Sequence, residues 1–213
     1  MFRYDNTIIG EKAMENEISL NYTFDDLFSQ EDIDNRHLFL NTQIDDNAVE
    51  LIVYHILRYN LMDEGIDISN RMPIMLYINS VGGYVSDGYS IVDAISCSET
   101  PVYTVNICKC DSAAFLVYIA GHERYSFPHS EFLMHDGFVG VFDSTAKAKD
   151  RIDFETKQLE KITKEFVLQH TKITEQFYDD VYRREWYFLP NEGKEYGIVD
   201  YIVGEDCTIS DIL

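Results

Sequence analysis

The sequence is poor in basic residues, and it lacks both a long apolar run and a leader of the secretory type. It has 17 lysines and arginines against 38 aspartates and glutamates, which gives a net charge of -21 over 213 residues. Such a negative surface repels phosphate backbones and anionic lipids, so nucleic-acid and membrane partners are not expected. No apolar run approaches the length of about eighteen residues typical of a membrane span. We therefore expect a cytoplasmic protein.

Cysteine is also scarce, with four residues at Cys97, Cys108, Cys110 and Cys207. Their spacing matches no ordinary zinc pattern, and no second Cys or His pair completes one. No metal or other cofactor is expected, and the cysteines are interpreted as free thiols. Cys108 and Cys110 are two residues apart in a predicted strand, which predicts that their side chains lie on the same face.

An apolar fraction of 46% is enough for one domain with a real core. Its residues follow alternating strand and helix periodicities. The predicted strands are 37–44, 74–80, 102–108 and 131–135, and the predicted helices between them are 45–65, 86–98 and 112–120. A last turn and strand are predicted within 195–203. This order predicts an α/β fold of right-handed βαβ units, with helices packed against a parallel sheet.

A long helix is predicted at 144–171, with an apolar stripe at Ile152, Leu159, Ile162 and Phe166 and charged residues on its other faces. A helix of this length exceeds what one small sheet needs. It either packs across the domain or projects to meet a helix of another subunit, and the pattern leaves both open. Residues 1–35 are polar and acidic and are interpreted as an N-terminal arm.

Residues suited to acyl-transfer chemistry follow neighbouring strands of the predicted sheet. They are Gly82 and Gly83 after the second strand, Ser112 after the third, and His135 at the end of the fourth. Sites in open parallel sheets lie beyond the carboxyl ends of the strands, so these residues are expected at one edge. A serine needs a base to take its proton, and an oxyanion needs amide donors that approach closely.

Each of these residues also has a structural interpretation. Ser112, or Asp111 before it, is a suitable helix cap, and the glycines suit a tight turn. Pattern alone does not choose the base, because His122, His129 and His170 also follow the serine. His135 is favoured because it ends a strand at the expected edge.

Several motifs in order along the chain resemble the proteolytic subunit of the Clp protease, ClpP. The resemblance extends from HLFLNTQI to YGIVDYIV, which is most of the chain. It rests on the segments YINSVGGYVSDGYSIVDAI, DSAAFLVYIAG, FPHSEFLMHDG, LEKITKEFVLQHT and REWYFLPNEGKEYGIVDYI. The family is identified from this ordered set of motifs and not from any one of them.

The resemblance implies a catalytic triad of Ser112 as nucleophile, His135 as general base and Glu185 as the carboxylate. Glu185 departs from the family, which has an aspartate at this position. Glutamate is one methylene longer, and triads with glutamate occur in other hydrolases.

The resemblance assigns the oxyanion hole to the amides of Gly83 and Ala113, and substrate binding to the strand edge at Gly82 and Gly83. Asp111 is a second departure. A carboxylate next to the nucleophile disfavours the negative oxyanion, by an amount that depends on its exposure.

The fold implied is ClpP/crotonase-like, with repeated βαβ units. It has an arm at 1–35 and a protease domain at 36–213, which divides into a head (36–143 and 172–213) and a projecting handle helix (144–171). Family members form stacked heptameric rings that receive unfolded polypeptides from an AAA+ unfoldase. The same partners, with rings of identical or mixed subunits, are expected for this chain.

The leading prediction is a serine endopeptidase of the ClpP type. The alternative is a catalytically inactive ring subunit with a structural or regulatory role, which the changes around Ser112 and His135 keep open. A third hypothesis, an acyl-CoA enzyme of the crotonase fold, accounts for the glycines. It gives no reason for the positions of Ser112 and His135.

Overall fold

The computed structural model describes residues 31–137, 140 and 143–213, so most of the predicted arm lies outside the described residues. The strands are β1 (His37–Leu40), β2 (Ile74–Ser80), β3 (Val102–Asp111), β4 (Glu123–Ser126), β5 (Glu131–Met134), β6 (Trp186–Phe188) and β7 (Tyr201–Ile202). The helices are α1 (Asp46–Met62), α2 (Val85–Ser96), α3 (Ala113–Ile119), α4 (Thr145–Phe154), α5 (Glu160–His170), α6 (Glu175–Val181) and α7 (Pro190–Glu195).

The sheet is largely parallel, as predicted. Its main path runs β1-β2-β3-β4-β7, with every neighbouring pair parallel. The end of β3 also pairs with β5 in parallel, and β5 pairs with β6 in antiparallel fashion. Strands β4 and β6 were not predicted, because β4 is short and begins with Glu123 and Arg124, and β6 has only three residues. The predicted α/β class and its βαβ units are confirmed.

Helix α3 forms the centre of the core. All of its residues, from Ala113 to Ile119, are buried. It packs against α2, α5 and the sheet, so it has no solvent face to carry polar residues. Burial on all sides explains why this helix is a continuous apolar run instead of an amphipathic pattern.

The long predicted helix is one continuous rod in three parts. Helix α4 leads into a π-helical turn at Glu155–Leu159, and α5 continues from it without a break in helical backbone. Val167 near its end is buried in the main hydrophobic core. Ile152, Phe154 and Ile162 are 45%, 46% and 46% exposed. Helices of the described part of the chain do not combine the length and apolarity needed to cross a bilayer.

The two cysteines of β3, predicted to share a face, differ in burial. Cys108 is exposed and Cys110 is buried. The register of β3 against β2 shifts here: Ile78 pairs with Asn106, and Ser80 pairs with Cys110. Between these two pairs, one residue of β2 thus lies opposite three of β3, and such an irregularity interrupts the regular alternation on which the prediction relied.

Candidate active site

Ser112 occupies the sharp turn between β3 and α3 in a strained conformation. Its φ of 56° and ψ of -122° fall in a region that favours glycine. The turn is held from both sides, because the Ser112 amide donates to Leu133 O (2.9 Å) and the Phe115 amide donates to Ser112 O (3.0 Å). Strain of this kind is retained where the surroundings impose it, and it is typical of a nucleophile on a strand–helix turn.

The Ser112 side chain makes no capping hydrogen bond to α3. An N-cap residue ordinarily has extended backbone and bonds an amide of the first turn. Ser112 does neither, so the capping interpretation does not account for it. The Ser112 hydroxyl is therefore not engaged in capping α3 and is available for chemistry.

Gly82 and Gly83 bring the end of β2 against this turn. Gly82 has a φ of +83°, and a Cβ there would lie 2.5 Å from Asp111 O and 2.8 Å from Ala113 N. A Cβ at Gly83 would overlap the backbone of Ile44, with which Gly83 forms an isolated parallel bridge. Both glycines are therefore needed for close approach of two backbones.

Two amides at this contact are available as donors. Around Gly83, the Gly82 amide donates to Ser80 Oγ (3.1 Å) and the Tyr84 amide to Ile44 O (3.0 Å). The Gly83 amide has no acceptor among the described residues. Ala113 provides the first amide of α3, which has no acceptor within its helix. These are the two amides predicted to form the oxyanion hole.

Ser112 and His135 line the same cleft, a cavity of about 50 Å³. His135 follows the end of β5, and its Nε2 is buried without a hydrogen-bond partner in the described residues. The cleft walls are polar and apolar in similar measure, and the larger side chains among them are Phe115, Leu116, Met134, Val167, Tyr178 and Tyr182. An unpaired imidazole nitrogen beside an uncapped serine is the arrangement that general-base chemistry uses.

The other candidate histidines are placed elsewhere. His122 Nδ1 lies 3.1 Å from the Val102 amide, and His170 Nδ1 lies 2.8 Å from Phe166 O. His129 is exposed on the turn before β5. Of these histidines, only His135 lines the cleft with Ser112.

Glu185 is exposed and does not line the cleft. The Tyr187 hydroxyl donates to its Oε2 at 3.3 Å. The antiparallel register of β5 and β6 pairs Met134 with Trp186, and one further step places Glu185 opposite His135. This register is compatible with the predicted triad, while the side chain faces solvent. The role of Glu185 stays a prediction.

Asp111 is the most unusual charged group near the site. It is 7% exposed, and its Oδ1 has no hydrogen-bond partner among the described residues. Burial raises the pKa of the Asp111 carboxyl, and Glu131 adds to the increase, while Lys109 and His135 act in the opposite direction. The position of this carboxylate beside the nucleophile is evident from the sequence, whereas its burial depends on tertiary contacts.

Among the cleft residues that the sequence did not predict, Thr163, Val167, Tyr178 and Tyr182 are the most distant along the chain. They come from α5 and from α6 and its end, far along the chain from Ser112. Helical periodicity marks them only as core-facing, so no local signal points to the cleft. The described residues contain no cluster of three or more His, Cys, Asp or Glu positioned for a metal ion.

A strained serine, a histidine in the same cleft and two available amides define a site of the serine-hydrolase class. Comparison with known proteins gives the family. The Clp protease family matches residues 22–206. The chain therefore belongs to the Clp protease family.

The relatives are proteolytic subunits. The ATP-dependent Clp protease proteolytic subunit of Bacteroides thetaiotaomicron is 31% identical over 88% of this chain and 82% of its own length. Proteolytic subunit 2 of Rhodococcus jostii is 33% identical over 79% of this chain and 84% of its own. A ClpP1 mutant structure from Listeria monocytogenes has a TM-score of 0.69, with 23% identity, covering 87% of this chain and 99% of that chain.

These comparisons confirm the family resemblance, the ClpP-like fold and the predicted function as a Clp-type protease. They give no support to the alternative of an inactive subunit. At 23% identity the Listeria structure bears on the fold alone.

Proposed function

We propose that this chain is a serine endopeptidase subunit in which Ser112 is the nucleophile and His135 the general base. Ser112 Oγ attacks the peptide carbonyl carbon, and its proton passes to His135. His135 then returns the proton to the leaving amine, and water hydrolyses the acyl-enzyme in a second round. Glu185 is the expected third member, holding the imidazole in the required tautomer.

The oxyanion formed by this attack accepts hydrogen bonds from the amides of Gly83 and Ala113. Both amides belong to rigid backbone, since the turn at Ser112 is tied to β5 and Gly83 is bridged to Ile44. Donors that are already oriented need no reorganisation as charge develops. An extended substrate would add main-chain hydrogen bonds along the edge at Gly82 and Gly83.

The single observation that carries the proposal is the backbone of Ser112. A φ of 56° raises the conformational free energy of any residue other than glycine. The Ser112 side chain makes no hydrogen bond to the following helix that would offset this strain. If Ser112 served only as a helix cap or a spacer, its strained backbone conformation would have no explanation.

We extend the proposal to the assembly. The exposed side chains of Ile152, Phe154 and Ile162 on the long helix support contact with another copy of the chain. Stacked heptameric rings with an AAA+ unfoldase, acting on unfolded polypeptides in the cytoplasm, are the arrangement we expect from the family. Sedimentation of the purified protein would give the mass of the particle directly.

A fluorophosphonate probe tests the active site. It forms a covalent adduct only with an activated serine, and peptide mass spectrometry locates the adduct. We expect a label on Ser112 that is lost in His135→Ala and retained in His129→Ala, a matched change of an exposed histidine. No label on Ser112 in an assembled particle would contradict the proposal, as would labelling that survives His135→Ala.

A further inference from the structure

Two stacked tyrosines, Tyr178 and Tyr182, form part of the wall of the cleft that holds Ser112. Their ring centroids are 4.8 Å apart and their planes differ by 18°. The Tyr182 amide donates to Tyr178 O (2.8 Å), and the Asp136 amide donates to Tyr182 O (2.6 Å). The aromatic pair is therefore tied to the residue that follows His135, so its place relative to the proposed general base is fixed.

The Tyr178 hydroxyl is buried and unsatisfied. Tyr178 is 2% exposed, and its hydroxyl oxygen is inaccessible to solvent and has no hydrogen-bond partner among the described residues. Buried tyrosine hydroxyls usually have a partner, so an unpaired one calls for an explanation. The Thr163 hydroxyl, which belongs to the same cleft, is by contrast bonded to the Tyr89 hydroxyl at 2.8 Å. Tyr178 thus brings to the cleft wall a donor whose hydrogen bond the fold does not supply.

Tyr178 shares this condition with a group that must meet the substrate. The Nε2 atom of His135 is also inaccessible and unpaired in the described part of the chain, and both side chains line one cavity. Groups of a substrate-free site often gain their working contacts only when substrate enters. A side chain that enters this cavity beside Ser112 therefore meets the Tyr178 hydroxyl as well as the imidazole.

The cavity limits the size and the charge of the side chain that it can take. Its volume of about 50 Å³ holds about four water-sized atoms, at roughly 10–15 Å³ for each. This is the size of an asparagine or leucine side chain. Among the described residues, those that line the cavity include no lysine, arginine, aspartate or glutamate. A charged substrate side chain would therefore lack a permanent opposite charge, and its burial would be unfavourable.

We propose that the Tyr178 hydroxyl is a specificity-determining group that hydrogen-bonds a small, neutral, polar side chain of the substrate. That side chain belongs to the residue whose carbonyl Ser112 attacks, and asparagine fits it best. The inference rests on the proposed function and deepens it by naming the substrate class.

The Tyr178 hydroxyl donates to the carboxamide oxygen of the asparagine. Leucine has nearly the same shape but leaves the hydroxyl unpaired, whereas aspartate brings a charge into a cavity that does not balance it. A polar group that a substrate must satisfy discriminates between isosteres more strongly than the shape of an apolar pocket does.

The test is competition between these isosteric side chains. Otherwise identical peptides carry asparagine, leucine or aspartate at one position, and mass spectrometry measures cleavage after that residue by the assembled protein in one mixture. We expect the native protein to prefer asparagine to each of the others by about tenfold in kcat/KM. In Tyr178→Phe, the preference for asparagine over leucine should fall by about tenfold, because the phenyl ring keeps the shape and removes the donor.

Tyr118→Phe is the matched control. The Tyr118 hydroxyl is likewise buried without a partner in the described residues, but Tyr118 does not line the cavity. We expect this variant to keep the native preference. Tyr178→Phe removes an unpaired hydroxyl and no hydrogen bond of the fold, so it should melt no lower than the native protein. A lower melting temperature would mean that the hydroxyl has a structural partner, which would overturn the inference.

The remaining outcomes separate the inference from the proposed function. An unchanged preference in Tyr178→Phe overturns the inference, as does an equal loss in Tyr118→Phe. Cleavage by the native protein without a preference for asparagine overturns it too, while the proposed function stands. If no peptide is cleaved and Ser112 is not labelled, the proposed function fails. Equilibrium binding of the same peptides, measured by fluorescence anisotropy, then decides the inference through the same ratios in native protein and variants.

Discussion

Gly82 lies directly against the turn that presents Ser112: a Cβ on Gly82 would be 2.9 Å from the Cβ of Ser112. The end of one strand thus supports the turn at the end of the next. This contact joins the nucleophile to the segment that offers the Gly83 amide, so two adjacent backbone segments hold the attacking atom close to the expected oxyanion donor.

Gly82→Ala should abolish labelling of Ser112 in a protein that still assembles. The new methyl group would overlap backbone atoms of Asp111 and Ala113, which no side-chain movement can relieve. Gly65→Ala is a well-matched control. Gly65 has the same φ of +83° but nothing within 4 Å, so it incurs only the conformational strain, about 1–2 kcal/mol. Equal labelling in the two variants would argue against the contact.

Ser112→Gly should be more stable than Ser112→Ala, although neither can be labelled. Alanine keeps the strained conformation of the native residue, whereas glycine adopts it freely. We expect a difference of about 1 kcal/mol in the free energy of unfolding, after allowing for the greater freedom of glycine in the unfolded chain. Chemical denaturation at matched protein concentration measures it. Equal stabilities would mean that the turn is not strained.

Glu185→Gln should slow fluorophosphonate labelling of Ser112 by about tenfold or more, because an amide holds the imidazole less well than a carboxylate. Glu185→Asp should retain labelling, since it keeps the charge and restores the shorter side chain of the family. The rate constant for labelling is the measurement. Glu195→Gln, an exposed carboxylate of α7, serves as the control. An unchanged rate in Glu185→Gln would remove Glu185 from the triad.

Asp63→Asn should destabilise the fold without touching a residue of the cleft. Arg36 donates two hydrogen bonds of 2.6 Å to the Asp63 carboxylate, whose side chain is 3% exposed. Loss of one partner of a buried pair leaves the other charge unpaired, which costs about 3 kcal/mol or more. Thermal unfolding would show the loss, and Glu64→Gln, an exposed neighbour, should melt like the native protein.

The same pair gives stability a definite pH dependence. The hydrogen bonds from Arg36 hold the pKa of Asp63 below its ordinary value. The pair therefore contributes fully above the pKa of an unfolded aspartate, and its contribution is lost as pH falls through the lowered value of the folded state. Asp63→Asn should remove this part of the acid sensitivity. A denaturation midpoint with the same pH dependence in both proteins would contradict the assignment.

Much of this protein was determined by its sequence. Alternating periodicities were sufficient for the parallel sheet and its helices, because each element buries one face or one stripe. The order of strands and glycines placed Ser112, His135 and Gly83 at one edge. Strands β4 and β6 were missed because they are too short to show a period. The difference in burial between Cys108 and Cys110 was not predicted either, since a register irregularity has no local signature.

Only the tertiary structure decided which of these residues are equipped for chemistry. The strain at Ser112 arises because β5 holds the turn through Leu133 O. The cleft brings the predicted His135, and none of the other histidines that follow Ser112, together with the serine. The burial of Asp111 depends on the pairing of β3 with β5. Each depends on contacts between residues distant in the chain. The local pattern indicates which side of a helix or strand faces the core. Tertiary packing alone determines which residues that side contacts.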